Sequence, residues 1–110
     1  MKPPSIGRKD PEKVFRGQIK SVVRTLERSI QDLLDNFWDE PLRRHAHELS
    51  STLLEGCKTY GFLELASVTR AITSLVALPM EEVIALEDAL KEKLRELIGL
   101  LKEMAELVAA

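Results

Sequence analysis

The apolar residues of this chain recur at steps of three and four, and the rhythm is broken at Asp39-Glu40-Pro41, at Gly61 and at Pro79. A 3.6-residue period gives a segment one buried face when it is helical and none when it is extended. The breaks are made of residues that stop or start helices: proline suits a first helical turn, and glycine takes the positive φ of a C-terminal cap at least cost. The chain therefore divides into four amphipathic helices joined by short connections. The first stripe is Phe15, Ile19, Val22, Leu26, Ile30, Leu33 and Phe37, widened by Val23 and Leu34. Asp10-Pro11-Glu12 opens it with a capping acid, a proline and an acid in the first turn. The spacing predicts a helix from Pro11 to about Trp38, roughly 40 Å long, with Trp38 covering the end of the bundle.

The second helix is expected from about Pro41 to Thr59, closed by Gly61. Its inward stripe is Leu42, Ala46, Leu49, Leu53, Cys57 and Tyr60, and its opposite side carries His47, Ser51, Leu54, Glu55 and Lys58. The third helix turns Phe62, Leu65, Val68 or Thr69, Ile72 and Leu75 inward. The fourth begins near Met80-Glu81-Glu82 and repeats Val83, Leu86, Leu90, Leu94, Leu97, Leu101, Met104 and Val108. A second apolar set on it, Ile84, Ile98 and Leu100, suggests a dimer seam or packing against a further domain. The fold class that follows is all-α: an antiparallel up-down-up-down four-helix bundle. It forms a single domain over residues 11–110, preceded by a loose lead-in over residues 1–10.

Bulk composition narrows the functions. Of 110 residues, 45 % are hydrophobic, enough for one contiguous core, and the net charge is −2. A near-neutral chain lacks the electrostatic footprint of a nucleic-acid binder, and no basic run argues for a membrane surface. No stretch reaches the length of a membrane span, and no apolar segment behind Met1 reads as a signal peptide, so a cytoplasmic location is expected. The lone cysteine, Cys57, precludes an internal disulfide and reads as a small core residue. His45 and His47 are two residues apart and point to different sides of a helix, so no metal site is expected. The carboxylates Asp32, Asp35, Asp39 and Glu40 cluster at a helix end without a companion segment to form a pocket. With no glycine-rich phosphate loop and no nucleophile triad, no cofactor and no enzyme chemistry are expected, beyond phosphoryl carriage through His47 at most.

The run Thr59-Tyr60-Gly61-Phe62-Leu63-Glu64-Leu65-Ala66 resembles the helix-ending segment of a histidine-containing phosphotransfer (Hpt) domain, the helical bundle that carries phosphoryl groups in bacterial two-component relays. The family pattern on its second helix is His-x-Leu-Lys-Gly, with another glycine six residues beyond. The likeness extends over residues 12–108 in architecture and 42–76 in motif. Counting back from Gly61 without gaps puts the phospho-accepting position at Ser51, the apolar position at Leu53, the lysine position at Leu54 and the glycine position at Glu55. A second register reads His47-Glu48-Leu49-Ser50-Ser51 as a weakened form of the motif. It needs four extra residues before Gly61, which would shift the acceptor about 6 Å along the helix axis.

The resemblance implies chemistry that the ungapped register does not support. A relay carrier takes a phosphoryl group from an aspartyl phosphate and returns it, and neutral imidazole suits that exchange. A serine ester would trap the group. Glu55 fills the space that the family's glycine leaves for an approaching aspartate, metal ion and phosphoryl group, and its charge opposes them. Lys58 is placed to pair with Glu55. The expected function is thus an Hpt-type signalling domain without transfer competence, which binds a receiver (response-regulator) or histidine kinase domain through His47, Ser51, Leu54, Glu55, Lys58 and Arg44. Two alternatives stand beside it: an active carrier using His47, and a plain helical interaction or homodimerisation module.

Overall fold

The computed structural model describes residues 10–109. The lead-in expected over residues 1–10 lies outside the described residues, apart from Asp10. The chain is an all-α four-helix bundle: α1 Pro11–Asp35, α2 Glu40–Thr59, α3 Leu63–Val76 and α4 Met80–Ala109. Consecutive helices pack on one another and α1 closes the ring against α4. Side-chain contacts give the directions. Phe15, early in α1, stacks near Tyr60 and Phe62 at the end of α2. Arg43, early in α2, reaches the Val76 carbonyl at the end of α3. Lys20 and Glu27 of α1 pair with Glu106 and Lys102 of α4, at 3.2 and 3.0 Å. Each neighbouring pair in these contacts is antiparallel. The α1–α2 and α3–α4 turns share one pole of the bundle. The α2–α3 turn lies at the other pole, with the start of α1 and the end of α4.

The core is continuous from pole to pole. Ile19, Leu26 and Leu33 of α1, Leu53 of α2, Leu65 and Ile72 of α3, and Leu94 and Leu101 of α4 are almost wholly enclosed. Each such leucine or isoleucine contributes about 1.5–3 kcal/mol by leaving water. The starts of α1 and α2 are capped by acidic side chains. The Asp10 carboxylate accepts from the Glu12 N–H at 3.0 Å and that of Asp39 from the Leu42 N–H at 3.3 Å.

Three expectations are corrected. First, α1 ends at Asp35 and not at Trp38. Phe37 and Trp38 both take left-handed backbone, with φ of 53° and 61°, and the Trp38 N–H bonds the Leu33 carbonyl at 3.0 Å. This is a Schellman turn with phenylalanine in the position glycine usually fills. It throws Phe37 out of the stripe to 82 % exposure and tucks Trp38 under the bundle at 4 %. There the indole N–H donates to the Leu78 carbonyl at 2.9 Å and ties the two turns of this pole together. Second, Leu86 does not face the core. The backbone kinks at this residue (φ −124°, ψ 18°), which re-phases the stripe and leaves Leu86 53 % exposed. Third, Ile98 is buried. It belongs to the core, and a seam on α4 would have to do without it.

Candidate functional site

The site expected from the sequence lies on α2, so its geometry is that of one helix and its neighbours. At 100° per residue, the buried set Ala46, Ser50, Leu53 and Cys57 defines the inward direction. Leu49, Gly56 and Tyr60 flank it on the α1 side. Arg43, His47 and Leu54 flank it on the α3 side. The midpoint of α2 falls between Leu49 and Ser50, so His47 and Ser51 straddle the middle of the helix. Its hydrogen bonding is continuous from Glu40 to Thr59, with no looped-out turn after His47.

This placement changes the character of the expected face. His47, Ser51 and Leu54 are half-buried, because α3 rises beside them. Leu54 packs against the core, as the edge of a wide apolar stripe. Glu55, Lys58 and Arg44 are exposed. The Lys58 ammonium lies 3.4 Å from the Glu55 carboxylate, and Arg44 sits 3.5 Å from Glu40, at the edge of contact. Both pairs are open to water and contribute little to stability. His45 is exposed on the α1 side of the helix, well away from His47. Among the described residues no group of three metal-ligating side chains forms.

Two features beside this face were not read from the sequence. The Ser50 hydroxyl is enclosed and lies 2.5 Å from that of Thr73 on α3. Thr73 already donates to the Thr69 carbonyl at 2.8 Å, so Ser50 is the donor to it. The second is Arg43. Its guanidinium binds both oxygens of Glu40, at 2.8 and 2.7 Å, and donates to the Val76 carbonyl at 3.1 Å, so it caps the C-terminus of α3. The Arg43 hydrogen bonds hold the Glu40 carboxyl down to about 2, with Arg44 adding to the effect. The signal for this clamp was present as Glu40 and Arg43 three residues apart. The third partner, a backbone carbonyl 33 residues on, leaves no mark in a sequence.

Gly56 occupies the position after Glu55, yet it opens nothing on the outer face. It points at α1, where the Phe15 ring lies so close that a Cβ would stand 2.9 Å from its Cζ. The cavity left by this glycine is filled by an aromatic ring, and Glu55 remains the group on the outside. Gly61 closes α2 with φ 77°, and the Phe62 N–H bonds the Cys57 carbonyl at 2.8 Å. Cys57 itself is enclosed. Burial pushes its thiol up to about 11, with the Thr69 hydroxyl beside it acting weakly the other way. It is a packing residue and no nucleophile.

No protein-family model, no curated protein and no solved structure matches this chain.

Proposed function

We propose that this chain is a signalling domain of Hpt type whose phospho-accepting position is held by Ser51, and that it acts by binding a receiver or histidine kinase domain instead of carrying the phosphoryl group. The observation that supports this reading is the α2–α3 corner. An unbroken α2 runs into a glycine-capped turn at Gly61, so the ungapped count back from that glycine lands on Ser51. The half-buried hydroxyl there is a poor phosphoryl donor, and the exposed Glu55 carboxylate opposes an incoming phosphoryl group. Leu54 offers an apolar contact at the edge of the face, and Lys58 and Arg44 supply its positive charge.

The test uses receiver domains charged with radiolabelled acetyl phosphate. The wild-type chain should bind receiver or kinase domains without acquiring acid-labile label, and Lys58→Glu should weaken that binding. A triple variant, Ser51→His with Leu54→Lys and Glu55→Gly, should gain acid-labile label, because it restores the acceptor, the cation and the open approach. Label on the wild-type chain that disappears in His47→Gln would overturn the proposal in favour of the shifted register. Absence of binding to any receiver or kinase domain would remove its other half.

A further inference from the structure

The pole that carries the α1–α2 and α3–α4 turns holds an apolar groove of about 270 Å³ between the end of α1 and the first turns of α4. Leu34, Val83 and Leu90 form its floor, and Phe37, Met80 and Ile84 stand at its rim. The rim residues are 82 %, 40 % and 70 % exposed. Three large apolar side chains in the open beside a groove make a patch of the kind that marks an interaction site. Along α4 the groove runs from Met80 to Lys91, about 17 Å or three helical turns. Met80, Ile84, Glu87 and Lys91 follow one another at steps of four, three and four, so the groove presents a helical ridge and no strand edge.

The surrounding charge selects the occupant. Residues 32–40 and 80–91 hold eight carboxylates and a single lysine, a net −7 in a chain whose total is −2, and Arg43 and Arg44 at the start of α2, both beside Glu40, offset only two of these charges at this pole. Of the rim charges, Lys91 is engaged by Glu87 at 3.4 Å, and Glu40 by Arg43 at 2.7 Å. Asp32, Asp35, Glu81, Glu82 and Asp88 are exposed on the same two segments. A second copy of this chain would bring two such acidic poles together, and an anionic lipid surface would be repelled in the same way.

We propose that this groove docks an amphipathic helix of a partner protein, with leucine-like anchors on one face and lysine or arginine on its flanks. The apolar face would cover Phe37, Met80 and Ile84 and lie along α4 as an added helix. Its basic flanks would face Glu81, Glu82 and the acids that end α1. This surface is separate from the α2 face, and its occupation does not depend on the function proposed for that face.

The chain contains one tryptophan, and Trp38 lines the groove, so its fluorescence reports binding directly. The probe is a synthetic leucine–lysine peptide of about 18 residues, long enough to form a helix on docking. Its controls are a scrambled peptide of the same composition and a leucine–glutamate peptide of the same pattern. The amphipathic basic peptide should shift the Trp38 emission and perturb backbone amide resonances between Phe37 and Lys91. Binding should weaken at least tenfold with Ile84→Glu, with Phe37→Gly and with Glu81→Lys/Glu82→Lys, and it should weaken as salt rises. All four positions are exposed, and circular dichroism checks that the variants remain folded. Equal binding by the scrambled or the acidic peptide would overturn the proposal. So would binding that Ile84→Glu leaves intact, failure of the basic peptide to bind, or a dimer in light scattering that Ile84→Glu dissociates.

Discussion

At the scale of single residues, the two Schellman turns of this bundle make a controlled comparison. Both use the same backbone hydrogen bond, from Phe62 to the Cys57 carbonyl in one and from Trp38 to the Leu33 carbonyl in the other. Gly61 meets the left-handed requirement freely, and Phe37 meets it at a cost of about 1 kcal/mol. Phe37→Gly should therefore stabilise the fold by about 1 kcal/mol, measured as a higher urea midpoint with an unchanged slope. The contrast also explains what the sequence could reveal. A glycine announces its turn, whereas Phe37 sits four residues after Leu33 and reads as the next member of the stripe. The first helix was consequently expected to run three residues too far. Cys57 was legible, because a cysteine on an inward stripe is most often a core residue. Its raised thiol should leave it unreactive towards a disulfide reagent at pH 8 in the folded chain and fully reactive in urea.

The elements were legible wherever period and punctuation agreed. The start of α1 and the corner at Gly61 follow from Asp10-Pro11 and from glycine, and α2 and α4 begin within a residue of their expected starts. The inward line of α4 was legible from Leu90 onward, because Leu90, Leu94, Leu97 and Leu101 keep one phase. Before Leu90 the pattern offers either Leu86 or Glu87 as the next inward position, and a kink decides the matter with no glycine or proline to signal it. The site on α2 was legible as a row of residues, but its half-burial was not, since that depends on how close α3 lies. The Glu40–Arg43 clamp joins these two helices and gives a pH dependence. Glu40 ordinarily titrates at 4.5 and is held down to about 2, so its stabilising contribution is complete above 4.5 and disappears as the pH falls towards 2. The difference in urea midpoint between the wild type and Glu40→Gln should accordingly be present at pH 6, shrink below pH 4.5 and vanish near pH 2. A difference that grows on acidification would contradict the clamp.

For the molecule as a whole, four helices of largely local sequence must close a ring, and closure rests on the long-range α1–α4 contact. Lys102 and Glu27 are 75 residues apart in sequence and 3.0 Å apart in space. Ion pairs of this exposed kind add little, so the seam depends on Ile19, Leu26, Leu94 and Leu101 behind them. Trp38 joins the two turns at one pole and should sense that closure. Unfolding followed by tryptophan fluorescence and by far-ultraviolet circular dichroism should give coincident transitions. An earlier fluorescence transition would mean that the acidic pole opens separately. Among the described residues no helix is long and apolar enough to cross a membrane. Whole-chain composition had shown the charge to be nearly balanced, and it concealed a strong segregation of that charge towards one end.

The even number of helices has a topological corollary. Asp10 and Ala109 both emerge beside the Gly61 corner, so a polypeptide joined to either terminus would be tethered at the rear of the bundle. The opposite tip, with its indole latch and projecting phenylalanine, lies at the far end of the bundle from both points of attachment.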